Sequence, residues 1–150
     1  MLLKEKTMRK ILAVVLGAVG GTIIFFIVGL IANAIQPTPA ELMDPATPEA
    51  VAQRVASAPT FTWLSTIFGL ALGAFSGGAI GAIVAKEKIV RVTSAIGLVF
   101  SLWAFYTFYI VYPAVLWVPI AMLISALLFS CLGGAAVVRS QKRKSALKTL

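Results

Sequence analysis

The sequence contains 47 consecutive residues, from 92 to 138, without a charged side chain. A membrane-spanning helix needs only about 20 apolar residues, so this stretch is too long for one crossing and must fold back on itself. The predicted break is Tyr112-Pro113, because the residue before a proline is driven out of the helical region. We therefore predict two antiparallel spans here, at about residues 90–111 and 116–138.

Two further uncharged apolar stretches, Ile11 to Ile35 and Phe61 to Ala85, precede this one. At 1.5 Å per helical residue each is long enough to cross a hydrocarbon core of about 30 Å. Composition agrees, since 60% of the chain is hydrophobic and only 12% is charged, whereas a soluble globule carries about a quarter charged residues. The prediction is an all-α membrane protein with one transmembrane domain and four antiparallel helices, at about residues 11–35, 61–85, 90–111 and 116–138.

The first span has the polarity of a secretory signal peptide, and Ala32-Asn33-Ala34 matches a cleavage site. Its apolar stretch, however, is far longer than the 7 to 15 residues expected of a signal peptide. We therefore expect a retained span. Met1 and Met8 are both compatible with the start of the chain.

Residues 36–60 have a different composition, with five of the seven prolines and three of the five acidic residues. Thr38-Pro39-Ala40-Glu41 matches a helix capping box, and Thr47-Pro48-Glu49 predicts a second short helix that stops before Pro59. The segment is predicted to be a short helical outer loop between spans one and two. We interpret it as a structured connector; the alternative is a docking or gating flap.

The basic residues are unevenly distributed along the chain. Four precede the first span, three lie between residues 86 and 91, five lie in a basic tail at 139–150, and only Arg54 lies in the loop. Lys and Arg concentrate on the cytoplasmic side of membrane proteins, so we predict cytoplasmic N and C termini in a bacterial inner membrane. This pattern accounts for the net charge of +8, and we expect membrane lipids, not nucleic acid, as partners.

Small residues recur at every fourth position of span two, in a GxxxG pattern typical of a glycine zipper. We call them the glycine row: Ser65, Gly69, Gly73, Gly77, Gly81 and Ala85. Interior glycines each cost roughly 1 kcal/mol relative to alanine, so close helix packing must offset them. Gly17 and Gly21 of span one are matching candidates, and we expect close antiparallel contact between the two spans. Contact with a second copy or another membrane protein is the open alternative.

The sequence offers little catalytic chemistry. It has no histidine and one cysteine, Cys131, which excludes a histidine base, a Cys/His zinc site and an internal disulfide. Apart from Arg91, which belongs to the charged turn at the start of the third span, no span contains Asp, Glu, Lys or Arg, which proton relays and ion sites use. The one strongly polar span residue, Asn33, is expected to make an interhelical contact or to cap its helix. We predict no catalytic, cofactor or metal site, and therefore no enzyme.

The sequence around Gly73-Ala74-Phe75-Ser76-Gly77-Gly78, with the basic start, the acidic Pro-rich loop and the closing hairpin, resembles small uncharacterised bacterial four-helix integral membrane proteins. The resemblance covers nearly the whole chain. It implies fold and location and brings no established activity.

Our leading hypothesis from the sequence is a non-enzymatic structural or accessory membrane protein that uses small-residue helix faces for packing or assembly. The alternative is a channel or carrier for an uncharged or lipid-like solute, with its path along the glycine row and the outer loop as a lid.

Overall fold

A computed structural model describes residues 2–37, 53, 55–111 and 117–147 of the chain. These residues form four long helices and contain no strand: α1 at Leu2–Ile35, α2 at Thr60–Ala85, α3 at Ile89–Phe105 and α4 at Trp117–Leu147. A π-helical segment at Tyr106–Val111 continues α3.

Each of the four helices is long and apolar enough to cross a membrane. The candidate spans are Thr7–Ile35, Thr60–Ala85, Ile89–Tyr109 and Trp117–Leu147. The protein is therefore an all-helical, multi-pass membrane protein, and the prediction of four helices able to span a membrane is confirmed.

The helices extend further than the predicted spans at the two ends of the chain. α1 begins at Leu2 instead of residue 11, and α4 continues to Leu147 instead of residue 138. Lys, Arg, Gln, Ala and Leu all favour a helix, so the change to a polar sequence marks the end of the apolar stretch and not the end of the helix.

Several predicted features of the connections lie outside the described residues. These are the Tyr112-Pro113 break and the loop motifs at residues 38–41 and 47–49. At the end of the loop, residues 55–57 are helical and the chain leaves the helix at Ala58-Pro59, where proline was predicted to stop it.

Helix α2 lies at the centre of the bundle, between α1 and α4, and α3 packs mainly on α4 and α2. Neighbouring helices are antiparallel: Gly17 and Gly21 of α1 face Gly77 and Gly73 of α2. In the same way, Thr93 and Ser101 of α3 are hydrogen-bonded to Ser130 and Leu123 of α4. The start of α1 and the end of α4 therefore lie at one end of the bundle. We call it the terminal end, formed by residues 2–10, 86–88 and 139–147, and the opposite end, with residues 29–37, 60–69 and 106–111, the distal end.

A tight turn at the terminal end joins α2 to α3. Lys86, which ends α2, and Lys88, which precedes α3, have positive φ angles of 58° and 50°, and a residue with positive φ commonly marks the end of a helix. The Arg9 Nε of α1 donates a hydrogen bond of 2.9 Å to the Val84 carbonyl in the last turn of α2. A cation is favourable there because the carbonyls at a helix C-terminus carry partial negative charge.

The core combines a few large side chains with many small ones. Leu70, Ile96, Val118 and Met122 are almost fully buried, together with alanines of all four helices such as Ala13. Helix α1 covers α2 with one small-residue face and exposes most of its large apolar side chains. In a membrane that exposed face contacts lipid, so its exposure needs no other explanation.

Candidate functional site

The closest helix contact in the sequence-predicted site joins two glycines of α1 to two glycines of α2. A Cβ added to Gly17 would lie 2.7 Å from the Gly77 carbonyl oxygen, and a Cβ added to Gly77 would lie 2.6 Å from the Gly17 carbonyl oxygen. The same reciprocal relation holds for Gly21 and Gly73, at 2.5 and 2.7 Å. Each carbonyl therefore occupies the space of the missing side chain, and no larger residue fits without separating the helices.

Helix α3 also uses this glycine surface. The Ile96 side chain reaches the surface of Gly17 and Gly81, and the Phe100 ring lies where a side chain on Gly21 would be. Within the chain, only α1 was predicted as a partner for the glycine row. In the structure two helices meet it, because the row drifts around α2 and presents its members in two directions.

The two helices are less tightly packed at the ends of the row. A Cβ on Gly81 would lie 3.4 Å from the Ala13 carbonyl oxygen, and one on Gly69 would lie 3.2 Å from the Val28 side chain. At the distal end of the row, Ser65 is half-buried and its hydroxyl donates to the Thr62 carbonyl. Ala85, at the terminal end, is buried. The row is thus in backbone contact at its centre and opens toward the distal end.

A second glycine interface joins α2 to α4. A side chain on Gly78 would meet the Ser130 backbone, and one on Gly133 would meet the Phe75 carbonyl and lie 3.0 Å from the Ala79 nitrogen. This interface was not predicted, because the four-residue spacing of the glycine row and of Gly17 and Gly21 gives no indication of α4. The adjacent pairs Gly77-Gly78 and Gly133-Gly134 are the signal that would have indicated it.

Serine hydroxyl groups connect α4 to α3. The buried Ser130 Oγ donates to the Thr93 carbonyl at 2.7 Å, and the Ser101 Oγ donates to the Leu123 carbonyl at 3.3 Å. No buried side-chain nitrogen or oxygen in the described part of the chain lacks a partner. These hydroxyls therefore act as interhelical contacts.

A cleft of about 130 Å³ with polar and apolar lining residues opens between α1 and α2 at the distal end. We call it the distal cleft. Its polar lining consists of Asn33, Gln36, Thr62, Ser65 and Thr66, and Gly29 and Gly69 form part of its wall. The structure thus places Asn33, predicted to make an interhelical contact or a cap, at an exposed position on this cleft.

The remaining polar residues that the structure describes do not gather into a metal-binding cluster. Among the described residues, no three His, Cys, Asp or Glu side chains come close enough to hold a metal ion. Cys131 is exposed on α4, with its Sγ 3.9 Å from the Ser94 Oγ. A serine hydroxyl does not activate a thiol as a nearby base or cation would, so this pair gives no catalytic arrangement.

Comparisons with protein-family models, with curated proteins and with solved structures give no match. The resemblance to small bacterial four-helix membrane proteins therefore rests on the sequence pattern around Gly73 and Gly77.

Proposed function

We propose that this chain is a non-enzymatic integral membrane protein with a structural or accessory role, held together by its small-residue helix faces. The observation that carries the proposal is the reciprocal contact of Gly17 with Gly77 and of Gly21 with Gly73. Lipid tails are as apolar as the helices, so close packing must supply the association energy in a membrane. Glycines that cost helix stability are then useful because they let two backbones meet.

The glycine faces are occupied within one chain in this arrangement, so assembly with a partner would use other surfaces. The exposed apolar face of α1, which includes Val15, Val19, Ile23 and Phe26, faces membrane lipid and is available to a second copy or to another membrane protein.

The distribution of charge supports a cytoplasmic location for the terminal end of the bundle. Eleven of the thirteen basic residues lie in the sequence segments at the terminal end or in the tail that follows it, and a twelfth, Arg91, lies in the first turn of α3 next to that end. By the positive-inside rule, the proposal places the terminal end in the cytoplasm and the protein in a bacterial inner membrane.

The alternative proposal, a channel or carrier for an uncharged or lipid-like solute, has one observation in its favour, the distal cleft. The contacts at Gly73 and Gly77 weigh against a path along the glycine row. A solute has no room between backbones this close, so transport along the row would require α1 and α2 to separate.

The packing role predicts that Gly73→Leu combined with Gly77→Leu destabilises the bundle. Overpacking costs about 1–3 kcal/mol per site, and here the obstructing atoms are backbone carbonyls that cannot rotate away. The free energy of unfolding should therefore fall by about 2–6 kcal/mol in mild detergent, measured by denaturant titration with tryptophan fluorescence and size-exclusion chromatography.

The matched control is Ala135→Leu with Ala136→Leu, which adds the same two side chains at exposed positions of α4. This control should unfold like the wild-type protein. A Gly73→Leu/Gly77→Leu protein with wild-type size and unfolding free energy would show that the packing role is wrong. Solute flux in liposomes that the same double variant abolishes, with its fold intact, would favour the carrier.

A further inference from the structure

The distal cleft exists because α1 and α2 part toward the distal end of the bundle. The helices meet backbone to backbone at Gly21 and Gly73, whereas one turn farther along α2 a Cβ on Gly69 would meet only side chains of α1. Two turns farther along α1, a Cβ on Gly29 would meet no atom of the described residues within 4 Å. The wedge-shaped space between α1 and α2 is therefore open. It is open because Gly69 and Gly29 have no side chains, and larger apolar residues at these two positions would fill it.

The chemistry of the cleft lining selects an uncharged ligand. Ser65 Oγ and Thr66 Oγ1 donate to the Thr62 carbonyl at 2.9 and 2.7 Å, so their oxygens present lone pairs to a ligand that donates. Among the described residues that line the cleft, no side chain is ionisable. A charged group would lose hydration without a countercharge, whereas a hydroxyl donor would find acceptors.

The size of the cleft determines how much of a ligand it can take. Its volume of about 130 Å³ is well below the roughly 300–1,000 Å³ of sites that enclose a drug-sized molecule. It corresponds to about four water molecules at about 30 Å³ each. The cleft can therefore accept a small polar group while the rest of the ligand stays outside.

The surface beside the cleft is apolar. Leu64 and Phe68 precede the cleft residues Ser65 and Gly69, and they are 55% and 60% exposed. In a membrane these side chains face acyl chains. A ligand with a small hydroxylated head and a hydrocarbon body therefore fits both surfaces together.

We propose that the distal cleft binds the uncharged, hydroxyl-bearing headgroup of a neutral lipid of the diacylglycerol class. The headgroup hydroxyl donates to Ser65 or Thr66, and the acyl chains lie along the Leu64 and Phe68 surface. Binding here needs no separation of α1 from α2, so it does not depend on transport.

Native mass spectrometry of the purified full-length chain in detergent tests this proposal. The protein is incubated with equal amounts of dioleoylglycerol, dioleoylphosphatidylcholine and dioleoylphosphatidylglycerol, and the lipid adducts are counted at increasing collision energy. Dioleoylglycerol should be retained preferentially. Equal retention of the three lipids, or preference for the anionic one, would overturn the proposal.

Gly29→Leu is the blocking variant, because it adds a side chain to the cleft where there is space for it. Its matched control is Ala34→Leu, which adds the same side chain at an exposed position of α1 that does not line the cleft. Dioleoylglycerol binding should weaken by about tenfold, which corresponds to the loss of one or two neutral hydrogen bonds, in Gly29→Leu only. Unchanged binding in Gly29→Leu would place the lipid elsewhere and overturn the proposal.

Ser65→Ala with Thr66→Val tests the hydroxyl contacts separately from the shape of the cleft. This variant should retain less dioleoylglycerol while its unfolding midpoint stays at the wild-type value, because the two hydroxyls bond only within their own helix turn. Free glycerol in excess should not displace the bound lipid. Displacement by glycerol would show that the cleft binds a soluble polyol, and the lipid assignment would be wrong.

Discussion

The glycines of this chain differ in what a single added methyl group would meet. At Gly133 the methyl would meet the Phe75 carbonyl and the Ala79 nitrogen, both backbone atoms of a neighbouring helix. Among the described residues, at Gly20 it would meet only the end of the Ile80 side chain, and at Gly29 it would meet no atom within 4 Å. Backbone atoms cannot move without shifting a helix, so the position of a glycine, not its mere presence in a span, determines its effect on stability.

Gly133→Ala is accordingly expected to destabilise the bundle, and Gly29→Ala is not. Overpacking against a backbone costs about 1–3 kcal/mol, while a change at an open surface position stays within about 0.5 kcal/mol. Denaturant titrations of the two variants in the same detergent measure the difference. Equal unfolding free energies for both would show that α2 and α4 are not in close contact at Gly133.

The spacing of glycines along one helix was predictable from the sequence, whereas the pairing of glycines between helices was not. The spacing of Gly69, Gly73 and Gly77 along one helix is visible in a single sequence. The pairing of Gly78 with Ser130 joins residues 52 positions apart, and no local pattern indicates which glycine faces which helix. The distal cleft was missed for the same reason, since its polar residues come from two different helices.

At the scale of the helices, the positions of the apolar stretches were predictable and the helix ends were not. The sequence predicted the fourth span to about residue 138, where the charges begin. Helix α4 continues through Arg139, Lys142, Arg143 and Lys144 to Leu147. All residues from 139 to 147 are exposed, so this extension is a solvated helix with no packing role in the bundle.

Deletion of residues 139–150 should therefore leave the stability of the bundle unchanged. We expect an unfolding free energy within about 0.5 kcal/mol of the wild-type value, together with a loss of helical circular dichroism for the removed segment. A fall well beyond this would show that the extension packs on the bundle. Replacement of the four described cations by Gln is the matched variant, because it removes the charge and keeps the helix.

At the scale of the whole molecule, the order of the helices across the bundle follows from the two glycine interfaces. Helix α2 contacts α1 through Gly73 and Gly77 and contacts α4 through Gly78. A helix with small residues in two directions can have close neighbours on both sides, which explains why α2 is central. The antiparallel arrangement follows from the short turn at Lys86–Lys88 and places the start of α1 and the end of α4 together.

The terminal end combines the start of α1 and the end of α4 with most of the positive charge, which leads to a prediction about the whole molecule in its membrane. In a background with Cys131→Ala, single cysteines at Ser140 and Gln36 report on the terminal and distal ends, and both positions are exposed. A membrane-impermeant maleimide should label Gln36→Cys in intact bacterial spheroplasts. It should label Ser140→Cys only after permeabilisation, because moving a cluster of cations across the membrane is opposed by the positive-inside preference.

The cysteine-free background must stay unlabelled in both conditions for this result to count. The reverse labelling pattern would place the terminal end outside the cytoplasm and contradict the proposed orientation.

The same experiment also determines which leaflet of the membrane the distal cleft faces. Labelling of Gln36→Cys in intact spheroplasts would place the distal cleft at the outer leaflet, and a neutral lipid bound in the cleft would then come from that leaflet. Labelling of Ser140→Cys in intact spheroplasts would place the cleft at the inner leaflet.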